Sequence, residues 1–420
     1  MKVVFITPVV PYVDGGTSAH IYHLMLKREK DISIDIFTFN NNHRTKEEIE
    51  KVEKELNVKF HLTKMPTWIQ WLLRLRLHLI RAFLNYPIYF YLKVDKNCLQ
   101  EIDSIHPDGI WIYGEELANV SKQFSTYRRV HTLPDSEAMY FYRMLQQRFV
   151  TNDFKTFWKN ALMFRKYVRM EKAYENSSKV TYHLVGEADA EFIRNNNPEI
   201  DAIFIRHPHY HILDETRPIK FHCPKIKILI AGQNNLYMKQ AADLLVEQFK
   251  SLISPLPPIE RVVETNSVGS FLKRHYVITF LGKGWEKHTE TLRSVGYEVN
   301  HIIFAENYQE ELIKHDIQIT PIAIGTGTKG KVLDALANGL LVIGTPYAME
   351  NIAVKHGESC IEYKHPQEVV DVLMNIPKNL KKYERMAWAG REAILKYHGR
   401  SLISRTLFSI FKKQQFYKDV

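Results

Sequence analysis

The strongest constraint on the fold is a pattern of short apolar runs, glycine-bearing loops and helix-like stretches that starts twice along the chain. The first start is an apolar run at Val3–Thr7, followed by "PVVPYVDGGTSAH", a helix-like stretch and a second apolar run at Ile32–Phe39. An apolar strand, a glycine-rich turn, a helix and another apolar strand form a βαβ unit, whose parallel sheet is covered by helices on both faces. The chain is therefore predicted to be an α/β protein.

The same alternation continues through the first half and restarts after the polar segment "IRHPHYHILDETRPIKFHCP". The predicted strands are "GIWIYG", "YRRVHT", "KVTYHLV" and "AIFIRH" before that segment, and "KIKILIAG", "YVITFLG", "EVNHIIF", "IQITPI" and "LLVIGT" after it. A chain of 420 residues exceeds the usual size of one core. We expect two Rossmann-like domains, at 1–205 and 225–385, that face each other across a cleft. A linker at 206–224 joins them, and a C-terminal helix at 386–420 can cross back to the first domain.

Composition and charge exclude several classes of protein. The three cysteines lie far apart, which indicates neither a disulfide framework nor a metal site and favours a reducing compartment. Prolines interrupt the opening "MKVVFITPVVP", so it is interpreted as a first strand rather than a signal peptide, and a cytoplasmic protein is expected. The formal charge is +10, but no RNA-binding signature, zinc-finger spacing or basic tail accompanies it, so nucleic-acid binding is not predicted.

One segment, "TWIQWLLRLRLHLIRAFL", combines aromatic, leucine and arginine side chains. It carries too many charges to span a membrane. A continuous helix would separate polar and apolar side chains onto different faces. The polar face would carry Gln70, Arg74, His78 and Arg81, and the apolar face would carry Trp68, Leu72, Leu79 and Phe83. Two interpretations remain: an interfacial helix from Trp68 to Leu84 on an anionic membrane surface, or a buried helix with snorkelling arginines.

Two glycine-bearing loops are candidates for holding an anion. Gly15 and Gly16 follow the first strand and precede a helix that begins near Thr17, whose free N–H groups would point at a bound anion. In the second half, the loop Gly325, Thr326, Gly327 and Thr328 follows a strand and precedes a helix that carries Lys329, Lys331 and Asp334.

The second loop has nearly the spacing of a Walker A loop but lacks one of its essential side chains. Gly325, Gly330 and Lys331 have nearly the Walker spacing, but Val332 stands where a magnesium-binding hydroxyl is required, so a Walker hydrolase is not expected. The pattern instead indicates a diphosphate cradle, in which loop amides donate to phosphate oxygens and a lysine stabilises the leaving group. Asp334 could then accept hydrogen bonds from ribose hydroxyls.

The segment "ITPIAIGTGTKGKVLDALANGLLVIGTPYAMENI" resembles the donor-binding segment of retaining GT-B glycosyltransferases, in particular a bacterial branch that makes surface polysaccharides or glycolipids. "TPVVPYVDGGTSAHIYHLMLKRE" resembles the opening loop of that family, and "MEKAYENSSKVTYHLVGEADAEFIRNNNP" resembles the end of its first domain. The resemblance covers Met1 to about Ile376. It implies an acceptor-side first domain and a second domain that binds a nucleotide sugar.

The resemblance also implies roles for individual residues. The donor would be bound by Gly15 and Gly16, by residues 325–329, by Asp334 and by Glu350, while Lys331 and His131 would be catalytic and Asp135 would lie on the acceptor side. Many members place a glutamate where this chain has Thr326, so the contact that this glutamate makes with the donor sugar is in question. A structural role for His131 at a strand end is the alternative.

The sequence thus predicts a glycosyltransferase that moves a sugar from a UDP or GDP sugar to a polysaccharide or lipid-linked acceptor hydroxyl, with retention. No metal or other cofactor is expected, because lysines and helix N-termini can take the charge role of magnesium. The histidines in "IRHPHYH" are interpreted as a hinge rather than a metal site, since no carboxylate partner is evident. The alternatives are a nucleotide-sugar epimerase and a catalytically silent binding partner. A cytoplasmic location, peripheral at the inner face of the membrane, is expected.

Overall fold

The computed structural model describes residues 1–13, 16–210, 212–253 and 267–412. By contact, the chain divides into two compact units. Unit 1 contains Met1–Pro208, Thr326–Thr328 and the chain from Arg400 onward, and unit 2 contains His209–Gly325 and Lys329–Gly399.

Unit 1 is built on a seven-stranded sheet in the order β3-β2-β1-β4-β5-β6-β7. The strands are β1 (Lys2–Thr7), β2 (Ser33–Thr38), β3 (Lys59–Leu62), β4 (Gly109–Tyr113), β5 (Arg129–Leu133), β6 (Val180–Leu184) and β7 (Ala202–Phe204). All neighbouring strands are parallel. Every residue of β4 and β5 is buried, as is typical of central strands covered on both faces.

The strand order of unit 1 reverses direction between β1 and β4, because β1 pairs with both β2 and β4. In an open α/β sheet such a switch point opens a crevice at the carboxyl ends of the strands, where ligands bind. The helices that connect the strands are α1 (Thr17–Leu26), α2 (Lys46–Leu56), α3 (Thr67–Arg74), α4 (His78–Phe83), α5 (Lys96–Ile105), α6 (Ala118–Gln123), α7 (Glu137–Leu145), α8 (Arg148–Thr151), α9 (Phe154–Lys172) and α10 (Glu187–Asn196).

The segment rich in tryptophan, leucine and arginine does not form the single helix considered from the sequence. It forms two short helices, α3 and α4, and the chain turns between them, where Arg76 has a φ of 49°. Ile69 is the buried residue of α3, and it belongs to the core cluster that lies under β1 and β4. Trp68 and Trp71 are exposed, while Leu72, Leu73 and Leu84 pack against that cluster, so the segment is buried on one side and exposed on the other.

Unit 2 repeats the same design with a six-stranded parallel sheet in the order β10-β9-β8-β11-β12-β13. The strands are β8 (Ile226–Ala231), β9 (Tyr276–Leu281), β10 (Val299–Ile302), β11 (Ile317–Thr320), β12 (Leu341–Gly344) and β13 (Ile361–Glu362). The helices are α11 (Lys239–Ser251), α12 (Val268–His275), α13 (Glu286–Ser294), α14 (Tyr308–Leu312), α15 (Gly330–Ala337), α16 (Pro346–Met349), α17 (Pro366–Asn375) and α18 (Leu380–Tyr397). The direction of the order reverses between β8 and β11, so this sheet also has a switch point.

A last helix, α19 (Arg400–Lys412), belongs to unit 1, where Leu407 and Phe408 are buried in the same core cluster as β1 residues. Within the described residues, the C-terminal segment predicted as one helix at 386–420 is therefore divided between α18 and α19. The interruption falls at His398, which is fully buried and accepts a hydrogen bond from the Ala353 amide through Nε2 at 3.0 Å. Among the described helices, none is long and apolar enough to cross a membrane.

Candidate functional site

The switch point of unit 2 brings the carboxyl end of β8 close to the first turn of α15. Gly232 follows β8 with a φ of 139°, a conformation that favours glycine. A Cβ placed on Gly232 would lie 4.0 Å from the Lys331 Nζ. The ammonium of Lys331 also lies 5.5 Å from the centre of the Tyr308 ring. Lys331 therefore stands at the edge where this type of sheet binds its ligands.

Asp334 lies one turn further into α15 and is buried. Burial raises the pKa of this carboxyl to about 7, while the Tyr210 backbone N–H and Lys331 act in the opposite direction. Its Oδ1 atom is inaccessible to solvent and has no hydrogen-bond partner among the residues that the structure describes. An oxygen of this kind is costly to bury unless a donor satisfies it.

The group around Asp334 includes two tyrosines that the sequence analysis did not identify. Burial raises the pKa of Tyr308 and of Tyr210 well above the ordinary value, and Asp334 adds to both shifts. Tyr210 lies beside the start of α15, since a Cβ on Gly330 would be 3.9 Å from its ring. Neither tyrosine follows a glycine-rich motif, so only the folded arrangement reveals them.

The lysine of this group remains accessible to solvent. The surrounding protein lowers the pKa of Lys331 by desolvation, and Asp334 partly offsets this. Val332, the next residue, is fully buried, so the position of a Walker hydroxyl faces the core. The arrangement offers one exposed cation and one buried carboxyl, which is suited to a ligand with both an anionic group and hydroxyl donors.

Two further predicted donor residues of unit 2 lie near other strand ends. Lys329 caps the N-terminus of α15, and a Cβ on Gly325 would lie 3.2 Å from the Lys329 Nζ. Glu350 follows the short helix α16, whose first turn is capped by Thr345 after β12. Their contact with a donor stays a prediction.

Thr326, Gly327 and Thr328 group with unit 1, where each donates a hydrogen bond. The Thr326 hydroxyl donates to Asp135 Oδ2 at 3.1 Å, the Gly327 amide donates to Asp189 Oδ2 at 3.1 Å, and the Thr328 hydroxyl donates to the Val185 carbonyl at 2.7 Å. One of the loop amides that the sequence assigns to a diphosphate, that of Gly327, thus bonds to a carboxylate in this structure. Asp189, which was not predicted, also accepts from the Ser136 amide at 2.9 Å.

The switch point of unit 1 carries the first glycine-bearing loop. Gly16 has a φ of 54° and precedes α1, and a Cβ there would have no atom within 4 Å. Gly15 lies outside the described residues. In the first turn of α1, His20 Nδ1 lies 2.7 Å from the Tyr113 hydroxyl at the end of β4. The His20 ring stacks on His207 at 4.3 Å, and burial lowers its pKa well below the ordinary value.

His131 is fully buried in β5. Its Nε2 lies 2.8 Å from the Gly114 carbonyl, so this nitrogen carries the proton and donates it. Burial lowers the pKa of His131 to about 4, which keeps the ring neutral at pH 7. Its Nδ1 has no partner within the described part of the chain. Any catalytic role of His131 would therefore be that of a neutral, polar group.

Unit 1 also contains a group of neighbouring carboxyls that the sequence analysis missed. Burial, with neighbouring acids adding to it, raises the pKa of Glu137 to about 8 and that of Glu115 well above its ordinary range. Glu171 has a pKa raised to about 7 by burial, and its Oε1 accepts from the Ser136 hydroxyl at 2.6 Å. The two adjacent acids in "GEEL" after β4 were the available signal. Glu137, whose pKa lies above 7, is mostly protonated at neutral pH and can then donate a hydrogen bond.

The histidines of the segment between the two predicted domains do not form a metal site in the described chain. His207 is buried against His20, the His209 amide donates to the His398 carbonyl, and His211 lies outside the described residues. No group of three or more histidine, cysteine, aspartate or glutamate side chains suited to a metal ion occurs in residues 1–13, 16–210, 212–253 and 267–412.

The strand orders and their switch points define the GT-B fold class, with two Rossmann-like α/β domains. No protein-family model matches the sequence, and no curated protein matches it either. Among solved structures, the chain is similar to HepE of Anabaena, crystallised with UDP, with 10% identity, a TM-score of 0.61 and coverage of 98% of this chain and 100% of that one.

Two other solved structures are similar over their whole length. Sucrose-phosphate synthase of Thermosynechococcus elongatus has 10% identity and a TM-score of 0.62, with 98% of both chains covered. WaaG, a glycosyltransferase involved in lipopolysaccharide biosynthesis, has 11% identity and a TM-score of 0.58, with 98% of this chain and 99% of that one covered. At such identities the likeness establishes the fold, and the predicted fold class is confirmed.

Proposed function

We propose that the protein is a glycosyltransferase that moves a sugar from a nucleoside diphosphate sugar to an acceptor hydroxyl, with retention at the anomeric carbon. The observation that carries this proposal is the pair of Lys331 and Asp334 at the switch point of unit 2, where an exposed ammonium and a buried carboxyl oxygen without a partner lie on successive turns of α15. A nucleoside diphosphate supplies both the anion and the ribose hydroxyls that these groups require.

In the proposed reaction, the acceptor oxygen forms a bond to the anomeric carbon as the bond between that carbon and the diphosphate oxygen breaks. The hydroxyl proton ends on the released nucleoside diphosphate or in solvent. Lys331 would stabilise the negative charge that develops on the diphosphate, which is the term that such preorganised groups supply most effectively. Asp334 would hold the ribose, and the remaining acceleration would come from positioning.

We further propose that the nucleotide is uridine diphosphate and that the acceptor is a polysaccharide or a lipid-linked saccharide. The uridine choice is supported by HepE, which is crystallised with UDP and with UDP-glucose. The acceptor choice is supported by WaaG, through the role that its name states. A GDP sugar is the alternative donor to be compared.

The test is to incubate the protein with UDP-glucose or a GDP sugar, with and without lipid-linked saccharides, and to follow nucleotide release and the product anomer. Sugar transfer that requires the acceptor and retains the anomeric configuration supports the proposal. Conversion of the donor sugar without an acceptor would instead identify an epimerase, and nucleotide binding without turnover would identify a silent binding protein. Activity that survives removal of divalent cations by EDTA would support the proposed independence from metals.

A further inference from the structure

A set of exposed aromatic, aliphatic and basic side chains covers neighbouring parts of unit 1. We name it the aromatic–basic surface. It consists of Trp68, Trp71, Arg74, Leu75 and Arg76 around α3, Ile80 and Phe83 in α4, and Phe154, Lys155, Trp158, Lys159, Leu162 and Arg165 in α9, all exposed.

The N-terminal half of α9 contributes a stripe that the sequence analysis did not consider. Phe154, Trp158 and Leu162 recur every four residues and therefore lie on one side of the helix. Phe154 is 78% exposed and Trp158 is 57% exposed, and their rings are 6.0 Å apart. The opposite side of α9 is anchored in the core by Tyr167 and Met170, so the exposed stripe is not needed for folding of the unit.

The helices α3 and α4 present similar side chains. Ile69 anchors α3 in the core, while Trp71 is 55% exposed and Phe83, in α4, is 88% exposed. Large aromatic side chains exposed to this extent are unusual when they occur together on one region of a protein.

One hydrogen bond joins α9 to α4, and a second joins α9 to Asn85, two residues after α4. The Lys166 ammonium donates to the Arg81 carbonyl at 2.7 Å, and the Arg169 guanidinium donates to the Asn85 side-chain oxygen at 2.7 Å. The end of α4 is thereby held against the middle of α9, and the exposed stripe of α9 extends from this junction by about three turns, or roughly 18 Å. The end of α4 and the C-terminal half of α9 are therefore neighbours.

The charge on this surface has one sign almost throughout. No aspartate or glutamate occurs between Glu55 and Asp95, or between Asp153 and Glu171, and Asp153 itself is exposed at the N-cap of α9. The basic side chains therefore have hardly any acidic neighbours within these segments. A second copy of the same surface would place like charges opposite each other, which opposes self-association. An anionic partner that also accepts aromatic side chains satisfies both properties of the surface.

We propose that the aromatic–basic surface docks unit 1 onto an anionic lipid bilayer, with α9 as a second interfacial helix beside α3 and α4. Lysine and arginine near the anionic headgroups attract the protein, while tryptophan, phenylalanine and leucine enter the headgroup and acyl boundary. The proposal goes beyond the glycosyl transfer and does not depend on it, because its residues belong to unit 1 and the Lys331 and Asp334 pair belongs to unit 2.

The test is sedimentation of the full chain with vesicles made of equal parts phosphatidylcholine and phosphatidylglycerol, compared with phosphatidylcholine alone. The wild type should sediment with the anionic vesicles and much less with the neutral ones, and added salt should release part of it. Phe154→Ser with Trp158→Ser should lower the partition coefficient by at least about tenfold. Lys155→Glu with Lys159→Glu should lower it by at least about tenfold as well, because each basic residue contributes about fivefold near such a surface.

A matched control comes from unit 2, where Trp388 is 44% exposed on α18 near the basic residue Arg385. Trp388→Ser and Arg385→Glu should leave vesicle binding unchanged. Equal losses in these controls, equal binding to neutral vesicles, or full binding by both α9 variants would overturn the proposal.

Two other occupants of the surface give distinct results. If the charge variant loses binding while Phe154→Ser with Trp158→Ser retains it, the surface holds a polyanion without insertion, and bilayer docking is wrong. If sedimentation velocity shows a wild-type dimer that the α9 variants abolish, the surface is an interface between copies. All variants change exposed side chains, and unchanged thermal unfolding verifies that each one is folded.

Discussion

Replacing Asp334 with asparagine tests the buried carboxyl directly, because the free energy that ionisation of Asp334 costs the folded state depends on pH. Burial raises the pKa of Asp334 from 3.8 to about 7 in the folded protein. The folded state therefore holds this proton more tightly than the unfolded state, so ionisation destabilises the protein as pH rises above about 4 and stops doing so above about 7. One pKa unit corresponds to about 1.4 kcal/mol, which gives an upper limit of about 4 kcal/mol at high pH.

An asparagine at this position would keep the shape of the side chain and would not ionise. Asp334→Asn should thus be more stable than the wild type at pH 8. The difference in the free energy of unfolding should be smaller by about 2.5 kcal/mol at pH 5, because ionisation of Asp334 destabilises the wild type by about 1.4 kcal/mol for each pH unit between pH 5 and pH 7. The same variant should bind UDP more weakly if the carboxylate holds the ribose. Stability gained at the expense of binding is a frequent property of functional sites.

The measurement is hydrogen exchange of the buried amides of β12 at matched pH, because it reports on unit 2 whether or not the two units unfold together. Comparing variant and wild type at the same pH removes the intrinsic pH dependence of exchange. If the difference in protection is the same at pH 5 and pH 8, the carboxyl does not titrate as its burial requires, and the argument for Asp334 fails.

Three other predictions concern both units. Lys331→Ala should lower turnover by about 3 kcal/mol of transition-state stabilisation, roughly a hundredfold, while Lys314→Ala, an exposed control in unit 2, should leave turnover unchanged. Gly232→Ala should lower the stability of unit 2 by about 1–3 kcal/mol in hydrogen exchange, because its φ is 139° and the new Cβ would lie 2.8 Å from a sulfur atom; no loss would show that the turn adapts. Glu175→Ala should lower the stability of unit 1 by about 3 kcal/mol in hydrogen exchange, because it removes both carboxylate bonds, at 2.7 and 2.9 Å, from the fully buried Arg129. Adding Arg129→Met should recover part of the loss, because no buried charge then lacks a partner. An equal or larger loss in the double variant would contradict this account.

The sequence was most informative about the central strands. The runs that became β4, β5 and β12 are buried along their whole length, so their apolar character is continuous and visible without an alignment. Of the four edge strands, β7 and β10 were predicted, and β3 and β13 were missed for the same physical reason. β3 has no fully buried residue and β13 has only two residues, so neither produces an apolar run.

The helix breaks were also beyond the pattern. Residues 67–84 have a helical distribution of leucine and arginine, yet the chain turns at Arg76, which has a φ of 49°. At the interruption, His398 precedes Gly399 and also accepts a hydrogen bond from an amide 45 residues earlier. Local propensity cannot report such contacts, since they form only after the strands have assembled.

The sequence likewise predicts one part of the candidate site and not the other. A glycine-bearing loop and a following lysine and aspartate are adjacent in sequence, so Lys331 and Asp334 could be proposed from spacing alone. What spacing cannot supply is the environment that makes them useful. The pKa of the Asp334 carboxyl is raised to about 7 because packing of the sheet buries this group. Its neighbours Tyr210 and Tyr308 come from segments more than twenty residues away. The chemistry proposed here therefore depends on a pair that the sequence identifies and on a burial that only the assembled sheet provides.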